Sequence, residues 1–209
     1  MSDTDYFANH ERARRFPWTL YHAPLERDLA NFLAAVRGHV LGHVLVVGCG
    51  LLHEIDRAPD GLRFTVADVD ARAVEAVLAR DDPRIEGGFV VPPEAAIETP
   101  RRFDAIYAKE VVEHVLAWPV WLAGLRRLLV PGGKLWLSTP NYGEPWLPAI
   151  ESTVLELVAR RSGFSRRDIH PTRFSRRSLA RALVEAGFSD VRARVMPTRL
   201  AITAWATTA

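Results

Sequence analysis

The chain has 209 residues, 48% of them hydrophobic and 25% charged, and a formal net charge of +2. That length suits one domain with a substantial core, and no apolar run approaches the roughly 20 residues that a membrane-spanning helix needs. A single cysteine, Cys49, excludes an internal disulfide, and the start M-S-D-T-D-Y-F-A-N-H lacks both the basic and the apolar stretch of a secretory signal, so a cytoplasmic location is the expectation.

The basic residues are arginines except for Lys109 and Lys134, a bias that reads as coding composition before nucleic-acid recognition. From Pro24 to Val36, residues Leu25, Leu29, Phe32, Leu33 and Val36 fall on one stripe at helical spacing, which predicts an amphipathic helix. The run V-L-V-V from Val44 to Val47 predicts a parallel strand buried on both faces. A second strand, Arg63 to Ala67, ends at Asp68, and Asp70 is placed to cap the helix A-R-A-V-E-A-V-L-A-R.

Further strands are expected at Gly88 to Val91 and Phe103 to Ala108. A helix follows from Pro119 to Leu129, then a turn Pro131-Gly132-Gly133 and the strand L-W-L-S-T. A helix from Ser178 to Ala186 stops at Gly187, and β-like runs at Val191 to Val195 and Leu200 to Ala206 close the chain. This alternation predicts an α/β fold with a doubly wound, mostly parallel sheet. Only residues 141 to 171 break the rhythm, with a helix expected near Pro148 to Arg161. One domain is expected, divided into an N-terminal helical lid (1–40), a cofactor-binding core (41–140), a substrate insert (141–171) and a C-terminal helix with a β-hairpin (172–209).

In such a sheet, ligands bind beyond the carboxyl ends of the strands. Gly48-Cys49-Gly50 sits there, with glycines that let the backbone approach a ligand closely. Asp68 ends the next strand, about 20 residues on, where a carboxylate can accept both ribose hydroxyls of an adenosine. A dehydrogenase uses similar topology but needs a third glycine for pyrophosphate, and that region here reads L-L-H-E.

The segments V-L-V-V-G-C-G, F-T-V-A-D-V-D, R-F-D-A-I-Y-A-K-E-V-V-E-H-V and L-R-R-L-L-V-P-G-G-K-L-W-L-S-T-P-N resemble, in order and spacing, the motifs of class I S-adenosylmethionine-dependent methyltransferases. The resemblance resumes at H-P-T-R-F-S-R-R-S-L-A-R-A-L-V-E-A-G-F. It implies a Rossmann-like seven-stranded sheet with an antiparallel C-terminal strand and helices on both faces. It also implies S-adenosylmethionine as cofactor, with Gly48, Cys49 and Gly50 at its methionine part, Asp68 on the ribose and Val69 on the adenine. Glu94 would stand in for a polar contact to the adenine amino group, and Lys109 belongs to the same cofactor site. Two positions depart from the family pattern: Val46 where an acidic residue is usual, and Leu52 where a glycine is.

After the fourth strand, K-E-V-V-E-H would place Glu110, Glu113 and His114 at i, i+3 and i+4 on one helix face, a set able to act as general base or bind a divalent cation. The triplet resembles that of ubiquinone-biosynthesis methyltransferases and of small-RNA 3′-terminal 2′-O-methyltransferases. In the RNA enzymes a later histidine completes a metal site, and His170 occupies a comparable place, giving Glu110, Glu113, His114 and His170 as candidate ligands. His114 is the candidate base where no metal takes part. The aromatic and basic stretch from Tyr6 to His22 is a candidate lid. In the insert region stand Tyr142, Trp146 and the arginines Arg160, Arg161, Arg166, Arg167, Arg173, Arg176 and Arg177, suited to a phosphate or a carboxylate. The leading expectation is methyl transfer to oxygen of a small molecule, with RNA ribose methylation and a non-catalytic partner protein as alternatives.

Overall fold

The run V-L-V-V becomes the centre of the molecule because both of its faces find partners. The computed structural model describes residues 18–36, 42–93, 95–144 and 170–209. In it β1 (Gly42–Val47) pairs in parallel with β2 (Leu62–Asp68) on one side and β4 (Phe103–Lys109) on the other. With β3 (Ile85–Val90), β5 (Leu129–Pro140), β6 (Ser189–Val195) and β7 (Ala201–Thr207) they form a seven-stranded sheet in the order β3-β2-β1-β4-β5-β7-β6. Strand β7 runs antiparallel to both neighbours and closes the expected C-terminal hairpin.

The period of two along each strand sorts the core into two layers. Val44, Val46, Phe64, Val66, Tyr107 and Trp136 pack with α1 (Trp18–Val36) and α2 (Ala71–Leu78). Leu45, Val47, Ile106, Leu135 and Leu137 face α3 (Trp118–Leu128) and α4 (Arg176–Glu185). The stripe Leu25, Leu29, Phe32, Leu33 and Val36 is at most 1% exposed, as its spacing requires.

Helix α1, strand β5 and helix α4 are among the elements that differ from expectation. Helix α1 begins at Trp18 and carries Pro24 inside it, rather than starting at the proline. Proline cannot donate to the carbonyl four residues back, so that turn is stabilised by packing rather than by its own ladder. The Pro131-Gly132-Gly133 segment is not a separate turn but a bulge within β5, where pairing jumps from Phe103↔Leu129 to Ala105↔Lys134. Gly132 has φ +73 there. Helix α4 starts two residues early, on Ser175, whose side chain and that of Ser178 satisfy each other's backbone N–H. The helix expected near Pro148 to Arg161 lies outside the described residues, as do Trp146, Arg160, Arg161, Arg166 and Arg167. No helix among the described residues is long and apolar enough to cross a membrane.

A buried carboxylate fastens the middle of α1 to the sheet. Asp28 is 5% exposed, and its Oδ2 accepts the indole N–H of Trp136 on β5 at 2.9 Å and of Trp205 on β7 at 3.0 Å. Arg194 lies 3.4 Å from the other oxygen. This anchor holds the N-terminal half of α1 over the carboxyl ends of the strands.

Candidate active site

The loop after β1 is built from unusual backbone. Gly48 (φ +71) and Gly50 (φ +48) both sit in the left-handed region that side chains disfavour. Gly48 has a second reason to be glycine, since a Cβ there would meet Val111 Cγ2 at 2.4 Å. The segment after β4 thus rests directly on the loop after β1. Leu52, where a glycine is usual, keeps the left-handed conformation (φ 49, ψ 43) and inserts its side chain into the core, 1% exposed. Burial offsets the strain of that conformation. Arg80 donates to the carbonyls of Leu51 at 3.1 Å and Leu52 at 2.9 Å and pairs with Asp56, stapling the loop from the end of α2.

Asp68 bridges the two strand ends. Its Oδ2 accepts the Gly50 N–H and its Oδ1 the Asp70 N–H, each at 3.0 Å. Every carboxylate oxygen accepts more than one bond, so capacity for a ribose remains. Asp70 caps α2 as expected, accepting the Arg72 N–H at 2.9 Å. Val69 stands 57% exposed beside it, a large apolar surface at the rim. Burial, then the charge of Asp68, pushes the Cys49 thiol up, so it stays protonated and is no nucleophile. Glu94 lies outside the described residues.

Beyond β4 the chain does not form the expected α-helix. Glu110 adopts φ +58, and Val112–His114 is one 3₁₀ turn, so Glu110, Glu113 and His114 do not share a helix face. Tertiary contacts impose this. The Glu110 N–H donates to Ser138 Oγ at 3.1 Å, its Oε1 accepts from that hydroxyl at 2.8 Å, and its Oε2 accepts from Tyr21 of α1. Glu110 therefore ties α1 to β5.

Glu113, His114 and His170 do converge, each offering a ligand atom within 4.8 Å of the others. Glu110 is not part of that group, which corrects the expected four-residue set to three. The rings of His114 and His170 lie 4.9 Å apart, and the Tyr142 hydroxyl meets His170 Nδ1 at 2.7 Å. Thr172 fixes the approach, donating its N–H to the Glu113 carbonyl at 3.1 Å and its hydroxyl to the Val115 carbonyl at 2.8 Å. Arg173 lies over the Tyr142 ring.

A second polar cluster gathers around Lys109 at the end of β4, of which the sequence flagged Lys109 and, in the stretch from Tyr6 to His22, His22. Lys109 pairs with Glu54, and burial pulls its ammonium down from the usual lysine range. His22 of α1 is lowered to about 4, first by desolvation and then by the Lys109 charge. Its unfolded value is near 6.5. Below that pH the unfolded chain takes up the proton first, so His22 makes stability fall from pH 6.5 towards 4. By pH 5 the loss is on the order of 1 kcal/mol for a half-buried group. Urea unfolding at pH 7.5 and pH 5 is expected to show that loss in the wild type and a flatter profile in His22→Leu. Identical slopes would remove His22 from the account.

The sheet order, the reversed β7, the glycine loop and the carboxylate on the next strand define a class I S-adenosylmethionine-dependent methyltransferase. The chain belongs to the methyltransferase-domain family, whose model matches residues 11–193. It is 42% identical over 131 residues to the human mitochondrial ubiquinone biosynthesis O-methyltransferase, covering 56% of this chain and 35% of that protein. It is 32% identical over 127 residues to the ubiquinone biosynthesis O-methyltransferase of Klebsiella pneumoniae (strain 342), covering 57% and 52%. The matched part thus spans about half or less of these relatives. Among solved structures, the N-methyltransferase NodS of Bradyrhizobium japonicum WM9, in complex with S-adenosyl-L-homocysteine, is similar in fold, with TM-score 0.63 at 18% identity and 97% of each chain covered.

Proposed function

We propose that this methyltransferase transfers the methyl group of S-adenosylmethionine to a hydroxyl oxygen of a small molecule. The observation that carries the reading is the convergence of Glu113, His114 and His170 on a segment packed against the cofactor loop through Val111 and Gly48. The named activity of the ubiquinone-biosynthesis relatives supports the same acceptor chemistry. Helix α1 reaches the segment after β4 through the Tyr21–Glu110 hydrogen bond, which places it beside this site.

Transfer from a sulfonium needs mainly proximity and in-line alignment, because the leaving thioether is already good. The acceptor hydroxyl must still lose its proton as its oxygen attacks the methyl carbon. His114 is the group to take it. The donor set of Glu113, His114 and His170 also fits a divalent cation with open positions, which would lower the pKa of a bound hydroxyl. Tyr142, whose hydroxyl meets His170 Nδ1, would then fix the orientation of that ring.

Calorimetry with S-adenosylhomocysteine is expected to give one site, with stabilisation in thermal unfolding. After dialysis against zinc or magnesium, the wild type is expected to retain about one ion, and Glu113→Ala and His114→Ala much less. Equal, near-zero metal in all three would remove the cation and leave His114 as base. Neither heat nor thermal shift at millimolar ligand would favour a non-catalytic partner, and RNA binding that collapses with salt would favour a ribose acceptor.

A further inference from the structure

Lys109 closes β4, and Glu54 stands in the 3₁₀ turn His53–Arg57 that follows the loop after β1. Strands β1 and β4 are neighbours, with Val47 opposite Ala108, so the two side chains meet above the point where β1 ends. Their ion pair is largely withdrawn from water, with side chains 10% exposed for Glu54 and 24% for Lys109. Such a pair contributes little net stability, since desolvation offsets the attraction and apolar replacements often do as well. A pair of opposite charges beside a ligand loop has a better use when the ligand itself carries two.

Resting on the reading that this loop holds S-adenosylmethionine, we propose that Glu54 and Lys109 recognise the amino-acid end of the cofactor. The Lys109 ammonium takes the α-carboxylate and the Glu54 carboxylate takes the α-ammonium. The loop offers no charged side chain for this task, because Val46 and Leu52 are buried and the Cys49 thiol is neutral. Arg80 is engaged with the loop carbonyls and Asp56, and Asp68 with the Gly50 and Asp70 amides. Exchanging one ion pair for two leaves the net charge of the site unchanged and keeps each buried charge compensated. In the free protein the pair holds the two side chains near their bound positions, which lowers the ordering cost of binding.

The test compares S-adenosylhomocysteine with 5′-methylthioadenosine, which shares the nucleoside and lacks the amino-acid end, by calorimetry on the wild type, Glu54→Gln, Lys109→Met and the double variant. The wild type is expected to prefer S-adenosylhomocysteine at least tenfold. Each single variant is expected to lose about 10- to 100-fold for that ligand while holding 5′-methylthioadenosine within about threefold. The double variant, free of an unpaired buried charge, keeps the comparison readable if a single variant folds poorly. A wild type that binds both ligands equally, or variants that retain the full preference, would overturn the assignment and leave the cofactor reading standing. A wild type that binds neither ligand would overturn both.

Discussion

Replacing Asp28 with alanine is expected to lower the unfolding free energy by about 3 kcal/mol, because two indole N–H groups lose their acceptor at once. Trp136 is fully buried and has no water to turn to, while Trp205 is partly buried and loses less. For a chain of this size the corresponding drop in Tm is roughly 10 °C. Asp28→Asn keeps an oxygen acceptor of the same reach, so it is expected to lose less than half as much. Thermal unfolding followed by tryptophan fluorescence reads both variants. A loss under about 1 kcal/mol in Asp28→Ala would mean that α1 is held by its apolar stripe and the Tyr21–Glu110 contact rather than by this anchor. Cofactor affinity is expected to fall with stability, since Tyr21, His22 and Glu26 lie on the turns nearest this anchor.

The coupling explains which parts of the molecule the sequence displays. The layers are legible because V-L-V-V and the stripe from Leu25 to Val36 carry their burial in their own periodicity. The placement of Asp68 and the glycine loop is legible because each stands at the end of a strand. The path of the chain after β4 is not, since nothing in K-E-V-V-E-H announces that Glu110 will take φ +58. That conformation is set by Ser138, 28 residues on, and by Tyr21, 89 residues back. Local propensity favours a helix there, and long-range hydrogen bonds override it.

The same reasoning applies to Glu54, whose partner Lys109 lies on another strand end, and to Arg80, whose contacts to Leu51 and Leu52 depend on where α2 finishes. The two departures from the family pattern also acquire physical meaning. Leu52 keeps the backbone of a glycine and offsets its strain by burial. Val46 sits opposite Tyr107, whose buried hydroxyl finds no hydrogen-bond partner among the described residues. A buried polar atom without a partner is a local cost in stability, here on the strand beside β1.

Asp68→Ala is expected to weaken S-adenosylhomocysteine binding by 100-fold or more, the largest functional effect of any single change at this site. Two losses combine. The ribose loses a charged acceptor, worth roughly 1.5–3 kcal/mol per hydrogen bond. The loop loses the carboxylate that joins the Gly50 and Asp70 amides, so Gly50 is no longer held in its left-handed conformation before the ligand arrives. Asp68→Asn separates the two contributions, because its carbonyl oxygen can keep one amide bond while its NH2 cannot accept the other. It is expected to fall between wild type and alanine, with a loss of about tenfold. Both nucleosides, S-adenosylhomocysteine and 5′-methylthioadenosine, should weaken together in Asp68→Ala, in contrast to Glu54→Gln, where only the first should. Binding of S-adenosylhomocysteine within threefold of wild type in Asp68→Ala would show that the ribose is held elsewhere and that Asp68 serves only to brace the turn between β2 and α2.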